Sequence, residues 1–200
     1  MSAQEARSIG SRLELFVDDW LIERMDGVAL KLHHPVPREG AVELDRPWGG
    51  TESFDPHVVL DNGHYKMWYL GRAPDPECAC YAESDDGIHW RRPSLGICDF
   101  EGSKDNNLVF PLNTSSGRAA HSAFVFKDQN GTPDERYKLI FTGREDGQPT
   151  MFGAVSPDGL RWTVLESPIL PNYHADTHNV MRFDEEKGRY VGYFRGWKGS

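Results

Sequence analysis

The sequence predicts an all-β protein built from repeated four-stranded antiparallel units, and three observations predict it. The turn "SDDGIHW" at 84–90 returns as "SPDGLRW" at 156–162, 72 residues later. The strand-like segment ahead of it returns too: "YKMWYLG" starts at Tyr65 and "YKLIFTG" at Tyr137, each 19 residues before its turn. The remaining segments are short and alternating, bounded by Asn-Gly, Asp-Gly and similar pairs, and no amphipathic helical period interrupts them.

The elements follow in order. Residues 1–49 read as a lead-in, with a short apolar strand in "LELFV" and a segment from Trp20 to Met25 that is either one helical turn or a strand. The first unit, about 50–95, holds "HVVLD", "YKMWYLG" and "CACYAESDD", with "HWRRP" as a short outer strand. Its joints are Asn62-Gly63, the loop from Gly71 to Glu77, and Asp86-Gly87. A long polar connection leads to the second unit, about 118–168, which reads "SAFVFKD", "RYKLIFTG", "MFGAVSPDG" and "RWTVLE". A third begins at about 176 with "HNVMRFD" and "RYVGYFRG" and runs to 200.

Four-stranded units too small to bury their own faces point to a β-propeller, in which blades stack around an axis and share a core. The repeated turn then has a structural task in each blade. Asp86 and Asp158 accept backbone N–H bonds, Gly87 and Gly159 take positive φ, and Trp90 and Trp162 wedge between sheets. Two complete repeats and the start of another amount to about two and a half blades, so the chain is read as truncated, poorly stable and inactive alone, with "RYVGYFRG" an exposed edge.

Composition excludes several function classes. With 22 basic and 31 acidic residues the net charge is −9, and no basic cluster exceeds "WRRP", which argues against a nucleic-acid partner. No apolar run is long enough for a transmembrane helix. The start carries no secretory signal, which favours the cytoplasm unless the N-terminus is trimmed. Cys78 and Cys80 alternate along a strand and lack metal-site spacing, so all three cysteines are expected to be reduced structural thiols, with no cofactor and no metal.

The paired segments "YKMWYLG … YAESDDGIHW" and "YKLIFTG … FGAVSPDGLRW" resemble blades of the five-bladed propeller glycoside hydrolases, the superfamily of arabinanases, β-xylosidases, invertases and levansucrases. The opening "LFVDDWLIE" is similar to that of uncharacterised bacterial relatives. The sialidase turn, Ser-x-Asp-x-Gly-x-Thr-Trp, does not match, because Gly directly follows Asp in both copies here.

The resemblance implies an axial pocket in which innermost strands converge with acidic residues, an oligosaccharide substrate, and hydrolysis or phosphorolysis by a pair of carboxyl groups. The candidate innermost strands, "SFDPHVVLD" from Ser53, "AHSAFVFKD" from Ala120 and "DTHNVMRFD" from Asp176, place Asp55 with His57, His121, and Asp176 with His178 near one level. By resemblance Asp55 is the catalytic Asp of the first blade; alternatively it is a turn residue capping the strand before Pro56. Asp176 is the second carboxylate or a loop Asp, and Glu52 an acid or an exposed loop residue. His57, His121 and His178 are assigned to sugar hydroxyls in preference to a metal, and Trp48 to stacking on a sugar ring or to packing under the lead-in. The chain departs from the pattern at "AAHSAF", which has His121 where the family has an Asp, and in lacking a counterpart of the general-acid Glu; the proton donor is then Glu52 or a residue beyond 200. A non-catalytic carbohydrate-binding or interaction propeller is the alternative function.

Overall fold

A computed structural model describes residues 6–71, 78–110 and 121–196, with the side chain of His121 outside the described set. It divides into two units, Met1–Glu39 and Gly40–Ser200. The expected lead-in strand is not formed: residues 6–39 contain no strand and no α-helix. At "LELFV" the Val17 N–H bonds back to the Leu15 carbonyl at 3.0 Å, a tight reversal that no extended strand contains. Trp20 sits in a single turn closed from Ile22 N–H to the Asp19 carbonyl at 2.9 Å.

The second unit is all-β, apart from a 3-10 turn at Pro133–Glu135. Its first sheet runs β1 (Ser53–Asp61), β2 (His64–Gly71), β3 (Cys78–Ser84) and β4 (Leu108–Phe110), in that spatial order and antiparallel throughout. The second repeats it with β5 (His121–Lys127), β6 (Tyr137–Glu145), β7 (Gln148–Ser156) and β8 (Thr163–Val164). A hairpin of β9 (Val180–Asp184) and β10 (Arg189–Tyr193) begins a third. The predicted propeller blades are therefore present, with one correction: the outer strand of the first sheet is β4, and "HWRRP" contributes only the Arg91 bridge to Glu83. The reason lies in Asn107, whose buried amide donates to the Tyr81 carbonyl at 2.7 Å and to the Tyr69 hydroxyl at 3.0 Å, drawing the apolar "LVF" against β3. The predicted connections at 72–77 and 111–120 lie outside the described residues.

Each repeated turn does what its sequence requires. Asp86 Oδ1 accepts from the N–H groups of Ile88 and His89 at 2.8 Å, and Asp158 Oδ1 from those of Leu160 and Arg161 at 2.8 and 2.9 Å. Gly87 and Gly159 take φ of +76° and +78°. Trp162 lines a narrow gap with Trp68 and Phe110 of the first sheet and Val125 and Leu139 of the second, and Trp90 packs against the same core, donating its indole N–H to the Gly87 carbonyl at 3.2 Å. Trp68 in turn donates its indole N–H to the Gly159 carbonyl at 2.7 Å. The buried aromatics Trp68, Tyr81, Phe141 and Phe152 anchor this core, each stabilising it by about 1.5–3 kcal/mol. The three cysteines are buried and unbridged, and burial pushes the thiols of Cys78 and Cys80 up to about 11 and about 12.

Adjacent sheets are also joined at one end of their first strands. Asp61, the last residue of β1, is buried and receives Lys127 Nζ at 2.5 Å, Arg136 Nη2 at 2.9 Å and the Tyr137 hydroxyl, all from the second sheet or its connections. Asp128, the matching residue after β5, receives the Tyr190 hydroxyl of β10 at 2.5 Å. Burial alone would push the Asp61 carboxyl up, but the Lys127 and Tyr137 hydrogen bonds and the charges of Lys127 and Arg136 outweigh it and bring the pKa down to about 2.

Two tests follow from this packing. Because the folded-state pKa of Asp61 lies below its unfolded value near 4, its contribution is complete above about pH 4, then is lost as pH falls toward 2. Chemical denaturation across that range should show a slope that Asp61→Asn removes, with on the order of 2 kcal/mol lost at neutral pH. A Cβ at Gly159 would stand 2.6 Å from the Trp68 ring at a positive φ, so Gly159→Ala should lower stability by about 2 kcal/mol or more, read as a fall in Tm.

Candidate functional site

The first strands β1, β5 and β9 lie against one another in sequence, β1 touching β5 and β5 touching β9. The start of the third also reaches back to the first: His178 Nδ1 stands 3.4 Å from Asp55 Oδ1, although a whole sheet lies between them in the chain. Such a contact requires the three first strands to converge, as they do around an axis.

β1 and β5 are kinked at the same place, and the chain entering β9 turns at the equivalent position. In β1 the ladder passes from Phe54–Leu70 to His57–Trp68, and in β5 from His121–Thr142 to Phe124–Ile140, so each carries one extra residue opposite its partner. Ahead of β9 the backbone leaves Arg195 at Asp176 and joins the ladder at Val180 opposite Tyr193, with residues 177–179 standing opposite residue 194 alone. At the kinks stand Asp55, Ser122 and His178, with φ of +48°, +52° and +60°. None is glycine, and a left-handed conformation costs such residues about 1–2 kcal/mol apiece. A bulge of this kind re-aims a side chain, and bulges concentrate beside functional sites.

The polar atoms at the kinks are unusual as well. Asp55 is buried, with its Oδ1 facing His178, while its Oδ2 has no hydrogen-bond partner. Ser122 Oγ, likewise buried, has none either. Those two atoms are the buried side-chain oxygens or nitrogens left unsatisfied among the described residues. Leaving such a group unpaired costs about 1–3 kcal/mol, which makes the coincidence at equivalent positions informative.

His57 ties the first two strands together beside this pair. Its Nε2 lies 3.0 Å from the Ala123 carbonyl, which can only accept, so Nε2 carries the proton. Its ring meets Phe124 edge-on at 4.6 Å. Burial lowers its pKa, outweighing the Ala123 hydrogen bond and the nearby Asp55 charge, and thereby favours the neutral ring.

The other sequence-predicted residues fall around this centre. His178 is exposed at 77% against 4% for the Asp55 side chain, so it covers the carboxylate from the solvent side. Asp176 stands two residues ahead of the kink and is ion-paired to Arg195 at 3.1 Å. Glu52 is exposed just before β1. The backbone of His121 begins β5, and its side chain lies outside the described residues. Trp48 is held toward the outer side of the first sheet, donating its indole N–H to Asn107 Oδ1 at 2.7 Å and packing edge-on to Phe100. It borders a polar cavity of about 160 Å³ with Arg46, Arg92 and Asn106. Among the described residues no group of three His, Cys, Asp or Glu is arranged to hold a metal ion, and no helix is long and apolar enough to cross a membrane.

Sequence reasoning missed Ser122, and it set Asp176 with His178 near the level of Asp55, where the structure brings His178 against Asp55 and leaves Asp176 two residues ahead, paired to Arg195. The signal was present in the three segments laid side by side, where Asp55, Ser122 and His178 each occupy the third position.

Comparison with known proteins agrees with this architecture. No family model matches the chain. The uncharacterized protein Rv1502 of Mycobacterium tuberculosis (strain H37Rv) is 32% identical over 117 residues, a match covering 55% of this chain and 33% of that protein. The chain thus matches only about a third of the length of this curated relative. Among solved structures, a glycosyl hydrolase from Bacteroides ovatus superposes with a TM-score of 0.52 at 17% identity, over 74% of this chain and 45% of that one. A fructofuranosidase from Schwanniomyces occidentalis, complexed with fructose, does so with a TM-score of 0.51 at 14% identity, over 71% and 29%. The chain has the fold of the propeller glycoside hydrolases, over part of their length.

Proposed function

We propose that the chain is part of an enzyme that cleaves glycosidic bonds, a hydrolase or phosphorylase acting on an oligosaccharide, with its chemistry on the axis of a five-bladed propeller. The observation that carries the reading is Asp55: a buried carboxylate on a kinked inner strand, in left-handed backbone, with one oxygen unpartnered. Glycoside cleavage requires a carboxylate at the anomeric carbon, as nucleophile or as base for water, and an acid at the leaving oxygen. Asp55 takes the first role. Asp176 is the second carboxylate, which aids the transition state or tunes its partners, and Glu52 is the candidate acid. His57, His121 and His178 are assigned to sugar contact on the axis, with His57 acting through the position of its ring because its Nε2 is engaged, while Trp48, bonded to Asn107, takes the packing role. The net charge of −9 supports a neutral ligand over a nucleic acid.

One observation favours a second reading, a propeller that binds sugar without cleaving it. At the kinks of the second and third strands the chain carries Ser122 and His178 rather than carboxylates. The readings part on turnover. If Asp55 does chemistry, Asp55→Asn in the intact protein lowers the rate of sugar release from an arabino-, xylo- or fructo-oligosaccharide by at least about 100-fold with Tm maintained. Unchanged turnover refutes the assignment, and binding without any release selects the second reading.

A further inference from the structure

We propose that Ser122, which neither the sequence pattern nor the family likeness assigns, is a ligand-positioning residue, and that its Oγ and Asp55 Oδ2 together take one hydroxyl of a neutral sugar. The inference rests on the carbohydrate reading and deepens it.

The two residues stand at equivalent places in adjacent inner strands, with φ values only a few degrees apart, +48° and +52°. Nothing in the ladder requires this of Ser122: its hydroxyl makes no hydrogen bond to the protein, so the kink is not held by the side chain it displays. A serine kept for structure would bond to a neighbouring backbone group, as Ser84 and Ser156 do in the repeated turns. Here a buried donor and a buried acceptor are both left without a partner, and the His57 bond to Ala123, beside each of them, fixes the two strands to one another.

The chemistry of the two atoms selects the occupant. A carboxylate oxygen accepts, and a hydroxyl both donates and accepts. A group that donates to Asp55 Oδ2 while accepting from Ser122 Oγ–H completes both, and a sugar hydroxyl does this with one atom. An anion would meet the Asp55 charge, and a metal ion would require ligands that the described residues do not assemble. Because the two atoms are shielded from bulk water, hydrogen bonds made there are stronger than at an exposed rim.

The test uses the full chain and two variants, Ser122→Ala and Ser122→Gly, read by thermal unfolding and by calorimetry with L-arabinose, D-xylose and D-fructose at tens of millimolar. Glycine removes the left-handed strain and no protein hydrogen bond is lost, so Ser122→Gly should unfold at a Tm equal to the wild type or about 2–4 °C higher. Both variants should bind the sugar that the wild type prefers about tenfold more weakly. A clear fall in Tm for Ser122→Gly assigns the residue to the fold and overturns the proposal, as does unchanged affinity in Ser122→Ala or failure of the wild type to bind any of the three sugars. Binding that is lost in the variants, in a protein that never cleaves a glycoside, upholds this site while removing the enzymatic reading.

Discussion

The buried carboxylate of Asp61 is the constraint on which the arrangement of the sheets depends. Removing an isolated carboxylate from water costs several kcal/mol, so its burial is tolerated only where cations and hydrogen-bond donors meet it. Those groups, Lys127, Arg136 and Tyr137, belong to the next repeat. Lys66 of β2 adds a cation from the first sheet at 3.6 Å, but the hydrogen bonds to the carboxylate come from the second sheet and its connections, so burial of Asp61 favours the two sheets in register. The device recurs at Asp128, which takes the Tyr190 hydroxyl of the third repeat. In the third copy Asp184 holds Lys187 of its own hairpin, at 2.5 Å.

This clamp bears on the functional centre because of where it sits on β1. Asp61 ends the strand and Asp55 lies near its start, so fixing one end against the second repeat fixes the azimuth of the other. The His57 bond to Ala123 makes the second attachment, beside the kink. Together these attachments hold the strands up to the residues next to Asp55 and Ser122, both of which keep a left-handed conformation that their own side chains disfavour. The same scaffold is occupied elsewhere by groups that satisfy one another: the Ser-x-Asp-Gly turns close on themselves, and the Trp68 indole is bonded to Gly159. Unsatisfied polarity is concentrated at the inner kinks.

The architecture was legible because it repeats. A spacing shared by Tyr65 and Ser84, and by Tyr137 and Ser156, is a direct reading of strand lengths and hairpin closures, and both pairs sit opposite one another in the ladders, Tyr65 with Ser84 and Tyr137 with Ser156. The outer strand was harder to read. "HWRRP" and "LVF" are both short, and only the long-range bonds from Asn107 to Tyr81 and Tyr69 decide between them. "LELFV" carries a strand composition, yet the Leu15–Val17 reversal shows local backbone bonding prevailing there. At the site, residue type drew attention to Asp55, His57, Asp176 and His178. A serine in an apolar strand carries no such mark by type, only its shared third position with Asp55 and His178 in the three segments. Its significance depends on a dihedral angle and on an absent partner, and neither is a property of residue type.

The most direct test of a shared axial site on the three kinked strands is a crystal structure of the chain soaked with L-arabinose. A sugar hydroxyl within hydrogen-bond distance of both Asp55 Oδ2 and Ser122 Oγ, with His178 at its edge, is the predicted result. Sugar seated instead in the polar cavity beside Trp48 and Arg92, with the kinked strands unoccupied, would contradict it.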